Sequence, residues 1–471
     1  MTRRPRNDHL STLLRLAGWS QGETARRVNA RARDLGHRGI AVDTARVGRW
    51  LGGERPRPPV DRVLAFVLGD HLDRALEPAD LGLADPTGDP LAPGWNPATM
   101  GESLQALTGS DLMLNRRDLL HGVTGASLAV TMGRLWNSIP DAPEPVIGAA
   151  PGAAGGTDWL DSDALDRLEA VIGHWRAADD AHGGALFRDA VVAQLRTVAH
   201  GLADRPVTPL TTRLFAVVAD LAGLAAWMSH DTARFAAAQR YWAFGVMASR
   251  RAGQPGRGAE LISRMAHQRV FFGHPADALE LLDVADRVAC QADPDHRLQA
   301  MLTAQRGRML AATGDAHSAQ YFLACAGDLL ATAEQHCEPA ADWISYFTAA
   351  ELAGATAVSR RDLRELHDQD IGAASAAFAD AVLLRDPGYD RCQAMDRVGQ
   401  AAALLSERQP EQACTVAHRA LHTAAGLDST LIRSRILTLT DAAGPFQRHP
   451  DVLALRERTS GMAVAGTIPA A

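Results

Sequence analysis

The residues with the clearest chemistry lie near the N-terminus. Arg46 and Arg49 fall one helical turn apart in Thr44-Ala45-Arg46-Val47-Gly48-Arg49-Trp50-Leu51. A guanidinium is a rigid fork of N–H donors that matches O6 and N7 of guanine, or two oxygens of a phosphate. Thr44 and Ala45 are small enough for a helix end to approach base edges, and Thr44 can meet a thymine methyl. Arg46 is the first candidate for base readout, and Arg49 for a phosphate. Gln21 opens another helix, where its amide and the backbone N–H groups can hold a phosphate. Arg55 and Arg57 sit in the stiff run Arg55-Pro56-Arg57-Pro58-Pro59 and are placed to flank a nucleic-acid backbone. The candidate DNA contacts are therefore Gln21, Thr44, Ala45, Arg46, Arg49, Arg55 and Arg57.

Four short helices are needed to position them. Leu10, Leu13, Leu14 and Leu16 give His9–Ala17 an apolar stripe, and Gly18 ends it. Ser20-Gln21-Gly22-Glu23 reads as a capping box for a second helix, with Ala25 and Val28 inward and Arg26, Arg27, Arg31 and Arg33 largely outward. Gly36 and Gly39 stop that helix. Asp43 is the expected N-cap of a third, Thr44–Leu51, whose Val47 and Trp50 share a core-facing side opposite the arginines. Gly52-Gly53 closes it, and a fourth helix is predicted over Val60–Leu72.

The charge distribution agrees with a nucleic-acid contact at this end. The chain of 471 residues is acidic overall, at −7. Residues 1–62 nevertheless hold 14 Arg against 6 acidic residues, and the remainder holds 34 Arg against 49. A basic head on an acidic body is the pattern of a DNA-binding module joined to something else. There is no Lys, so no P-loop lysine is possible. No GxSxG elbow and no metal-spaced His/acid motif occurs, so the chain is not expected to be an enzyme, and neither a cofactor nor a metal is expected. Five widely spaced cysteines without a CxxC pair suit a reducing cytoplasm. The polar start, Met1–His9, is no secretory signal, and no membrane span is expected. Asn115-Arg116-Arg117-Asp118-Leu119-Leu120 has the look of an export signal, but it is internal. A linker helix packing on the body is the better account.

Length and punctuation divide the chain into residues 1–83, a Pro/Gly-rich linker with one or two helices at 84–157, and a helical region at 158–460. Ala and Leu are abundant, aromatics are 5%, and runs with period two are nearly absent. The last region repeats one pattern: a helix, a tight turn, then a helix with Ala in its first turn. It occurs at Arg269–Leu279, Gly307–Ala319 and Ala401–Ala413, with a looser copy around Ser229–Ala238. Ala319 to Ala413 leaves room for two units, one of them degenerate around 340–386. Such hairpins stack because one alone cannot cover both faces.

This region resembles tetratricopeptide repeats, with about five to seven hairpins. The head resembles the phage-repressor-like (XRE-type) helix-turn-helix family. The resemblance rests on Gly18-Trp19-Ser20-Gln21, on the aliphatic-x-x-Trp of Val47–Trp50, and on Gly53-Glu54-Arg55-Pro56. The segment from Asn29 to Val42 is longer than in that family. Together the two parts resemble actinobacterial regulators, some of which control morphological development and antibiotic production, and also peptide-sensing regulators. The implied fold is all-α, a small helix-turn-helix domain followed by an α-solenoid. The implied function is a sequence-specific, DNA-binding transcriptional regulator acting on double-stranded DNA. Its repeats would bind a regulatory peptide or protein, or mediate a homodimer that spaces two recognition helices about 34 Å apart. The alternative is a protein–protein interaction scaffold whose head does not read DNA. A weaker one is an enzyme hidden in the helical body, whose mark would be a deep pocket of perturbed titratable groups.

Overall fold

The computed structural model describes residues 7–34, 41–54, 56, 60–71, 81, 83, 104, 108, 128, 129, 132, 136, 161–202, 208–370 and 372–462. Every regular element among them is helical. The chain separates into two compact units, Met1–Pro93 and Gly94–Ala471. Arg55, Arg57, most of the linker at 84–157 and the Asn115–Leu120 motif lie outside the described residues.

The first unit holds α1 (Asp8–Leu16), α2 (Gln21–Asp34), α3 (Thr44–Leu51) and α4 (Val60–His71). Leu10, Leu14, Val28, Val47, Trp50, Leu64 and Leu68 form its core with Leu81 and Leu83. Asp43 caps α3, its carboxylate accepting from Arg46 N at 2.7 Å. The capping box of α2 is half formed. Ser20 Oγ accepts from Glu23 N, but the Glu23 carboxylate is held by Arg26 and Arg27. Those guanidiniums give a carboxylate on an exposed helix better partners than one backbone amide does.

The second unit is a run of paired helices: α5 (Ser162–His182), α6 (Arg188–Leu202), α7 (Pro209–Asp231), α8 (Phe235–Arg251), α9 (Pro255–Phe271), α10 (Pro275–Ala289), α11 (His296–Thr313), α12 (Ala316–Gln335), α13 (Ala349–His367), α14 (Ala374–Leu384), α15 (Asp390–Ser406), α16 (Pro410–Ala424), α17 (Thr430–Ala442) and α18 (Pro450–Thr459). The solenoid expectation holds, and the degenerate stretch is the α13/α14 hairpin. The tight turns follow one design. A single residue at positive φ closes the turn, and the amide after it bonds to the carbonyl five residues back, as in Arg234 N to Ser229 O at 2.7 Å, His274 N to Arg269 O at 2.9 Å and Gln409 N to Leu404 O at 2.8 Å. The positive-φ position is Gly273 in one turn but Ala233 and Arg408 in others. The repeat Ala residues sit at the helix contacts: Ala278 and Ala319 are fully buried and Ala413 nearly so. Among the described residues, α7 alone is long and apolar enough to cross a membrane, and two thirds of its apolar window is buried against neighbouring helices.

The two ends of this array meet. Asp428 N donates to His182 O at 2.8 Å, and Ala185 N to Asp428 O at 3.2 Å. Buried Asp231, at the end of α7, accepts from Ser429 Oγ at 2.7 Å and from Gly184 N at 3.0 Å. Ser429 also caps α17 through Ile432 N at 3.1 Å. Arg391 of α15 pairs with Asp180 of α5 at 3.2 Å, and Phe235, Phe271 and Leu431 pack together. The fit is close at Gly183 (φ +87°), where a Cβ would stand 2.9 Å from Asp428 O.

Candidate functional site

Among the described residues, candidate chemistry gathers at two places, one in each unit. In the first unit α3 presents Thr44, Ala45, Arg46 and Arg49 to solvent, while Val47 and Trp50 are buried. Arg46 Nη1 donates to Ala41 O at 2.7 Å, and Arg49 lies 3.3 Å from Glu54 with both side chains half exposed. An exposed ion pair such as Arg49–Glu54 holds weakly, and the exposed Arg46 keeps N–H donors beyond the one given to Ala41, so both guanidiniums can meet a polyanion. Gln21 is exposed at the start of α2, and its amide oxygen lies 3.3 Å from where a Cβ on Gly48 of α3 would be. A Cβ on Gly22 would contact Thr44. The N-terminus of α2 and the outer face of α3 thus form one surface, and five of the seven predicted residues lie on it.

The long segment between α2 and α3 is pinned at its far end. Asn29 Nδ2 donates to Val42 O at 2.7 Å, and Val42 N donates to Asn29 Oδ1 at 2.8 Å. One asparagine side chain thereby stands in for a backbone partner and fixes where α3 begins, although the connection is longer than a compact turn. Arg27 is spent within the unit, over the Trp19 ring at 4.7 Å and paired with Glu23.

The second place is a cavity of about 930 Å³ inside the closed array. The first helices of the pairs, α5, α7, α9, α11, α13, α15 and α17, line most of it. Its wall joins aromatic rings, among them Trp227, Trp242 and Tyr346, to a lattice of buried ions. Arg257 and Arg264 both hold Glu260, which is 2% exposed. Arg264 also lies over the rings of Trp227 and Tyr346, at 4.7 and 4.3 Å. Arg385 joins Glu351 and Asp396, and burial raises the Asp396 carboxyl to about 6. Burial also raises Asp179 to about 7, against the pull of Arg391. His267 faces Arg308 and is held well below its ordinary value by burial.

None of these cavity residues is among the sequence-predicted sites. An arginine on a helix reads as a solvated face, and only tertiary closure turns these inward. The available signal was Arg257, Glu260 and Arg264 at helical spacing within an otherwise buried helix. The array also brings His296, His336 and Glu338 together, their donor atoms within 4.8 Å, which adjacency in sequence did not reveal. Glu338 accepts from both the ring and the backbone amide of His296, and so ties down the start of α11.

Comparison with known proteins places one part of the chain. No curated protein and no solved structure matches it. Residues 10–84 match the family model of the SP15 N-terminal domain, which runs from within α1 past α4 and leaves the helical array unmatched.

Proposed function

We propose that the protein is a sequence-specific, DNA-binding transcriptional regulator whose helical array, tetratricopeptide-like in its pairing, receives a regulatory ligand. The observation that carries this reading is the exposed face of α3. Thr44, Ala45, Arg46 and Arg49 stand together on it, backed by buried Val47 and Trp50 and flanked by Gln21. A helix braced from behind, with short residues and forked donors outward, is what major-groove readout requires. The basic balance of residues 1–62 supports it.

The cavity also meets the description of a helical enzyme's pocket, since it gathers perturbed titratable groups. Its chemistry favours binding. Glu260, Glu351, Asp180 and Asp396 are engaged by arginines, and burial pushes the Cys392 thiol up to about 12, which makes it a poor nucleophile.

The test is selection of bound duplexes from a random library by the full-length chain, followed by Arg46→Ala and Arg49→Ala on the selected site. Loss of a base contact at Arg46 should weaken binding by about 1–3 kcal/mol and relax one position. Loss of a phosphate contact at Arg49 should weaken all sequences alike and lower the salt slope by about one. Wild-type affinity in both variants, or no enriched sequence, defeats the reading and leaves an interaction scaffold.

A further inference from the structure

We infer that the cavity of the closed array binds a small organic anion, a phosphate or carboxylate head on an apolar ring-bearing body, with Arg308 as the anchoring cation. The inference gives the ligand of the proposed regulator a chemical class, while the binding itself stands on the cavity alone.

The cavity's ion pairs leave one conspicuous remainder. Arg176 pairs with Asp220 at 2.8 Å, Arg264 with Glu260 at 2.7 Å, Arg361 with Asp362 at 2.7 Å, and Arg391 with Asp180 at 3.2 Å. Arg257 and Arg385 have carboxylate partners as well. Arg308 of α11 has none among the described residues. Its Nη1 donates to His267 Nδ1 at 3.2 Å, and its Nε has no hydrogen-bond partner. The neighbouring charges do not repair this. Arg361 of α13 and Arg435 of α17 lie close enough for their charges to interact with it. Asp362 and Glu351 of α13 attract it from a distance, but Asp362 is bonded to Arg361 and Glu351 to Arg385, and Glu365 accepts from Ser406 at 2.8 Å. Burial together with Arg361 and Arg308 lowers the Arg435 guanidinium to about 10. His267, neutral for the reason given above, supplies no counter-charge.

A part-buried cation kept without a bonded counter-ion weakens a fold unless something else neutralises it. An anion entering the cavity does that, and the guanidinium fork matches either head group. The rest of the wall suits an organic body. Phe271, whose face carries Arg435 at 5.1 Å, lines the same end, and Trp227 and Trp242 continue the apolar surface. Gln305 adds an amide oxygen without a hydrogen-bond partner, ready for a donor. The volume falls within the usual range for small-molecule sites, about 300–1,000 Å³. With the array ends hydrogen-bonded to each other, helices wall the concave face all round and leave a cavity open to solvent on one side of the ring, in place of a groove that runs on past its ends.

The test is calorimetric titration and thermal unfolding of the full-length chain with phenyl phosphate, phenylacetate and neutral benzyl alcohol. At least one of the two anions should bind and raise the unfolding temperature, and the comparison between them identifies the head group. The alcohol should do neither. Arg308→Met should weaken the anion by about tenfold or more, the loss of a charge-assisted contact, and without ligand it should unfold at a higher temperature than wild type. No anion binding at millimolar concentration, alcohol binding as tight as the anions', or unchanged binding in R308M overturns the proposal. An R308M chain that unfolds at a lower temperature gives Arg308 a structural role and overturns it too. Arg46→Ala should leave anion binding unchanged, so failure here and failure of DNA reading are separately visible.

Discussion

Ser429→Ala probes the seam of the array at one hydroxyl. That oxygen caps α17 through Ile432 N and donates to the buried carboxylate of Asp231. Loss of a Ser N-cap removes about 1 kcal/mol. Loss of a hydrogen bond to a buried carboxylate removes about 1.5–3 kcal/mol, and among the described residues Asp231 keeps the Gly184 N bond as compensation. Together the array should lose about 3 kcal/mol. Unfolding entropy is about 2.1 cal/mol/K per residue, so for a unit of roughly 300 residues the midpoint should fall by about 5 °C. The assay is scanning calorimetry of the full chain, with Ser429→Thr as the control that retains the hydroxyl. A midpoint for S429A within about 1 °C of wild type, or an equal drop in S429T, would refute the reasoning that this bond closes the array.

Gly258→Ala separates helix propensity from packing. Propensity alone would stabilise α9 by about 1 kcal/mol, but a Cβ there would stand 2.5 Å from the Trp136 ring, so a loss of about 1–3 kcal/mol is expected in denaturant unfolding; a gain would mean that Trp136 does not dock there. Asp179 binds a proton in the folded state up to about pH 7, whereas its ordinary value is 3.8. Asp179 should therefore contribute a fall in stability as pH rises through that window, and Asp179→Asn should make the wild-type slope shallower there; parallel stability–pH curves for the two proteins would count against a buried carboxyl that holds its proton. Asp43→Ala should lower the stability of the first unit by about 1 kcal/mol through the lost cap on α3, and an unchanged first transition in circular dichroism would show that α3 does not depend on it.

Much of the fold could be read from the sequence, for local reasons. Asp43, Gly52 and the Val47/Trp50 spacing act within a few residues, and α3 spans Thr44–Leu51 as its caps and stripe imply. The hairpins with Gly at the turn were legible because glycine marks positive φ. Those with Ala233 and Arg408 were visible only through their flanking Ala residues, because packing overrides the backbone preference there. What no local pattern contained was closure. The contacts of His182 with Asp428 and of Asp231 with Ser429 join residues some two hundred positions apart, and neither pair has a distinctive type. The cavity followed closure out of sight, because the same arginines would face water in an open array.

An open stack of helical pairs behaves mechanically as a coil spring, whose softest motion is the drift of its ends toward and away from each other. Hydrogen bonds that link His182, Ala185 and Asp231 with Asp428 and Ser429 clamp that motion. A guest of the cavity then meets walls whose circumference is held at both ends of the stack. The clamp is tightest at Gly183, where the absence of a side chain lets the backbone lie against Asp428.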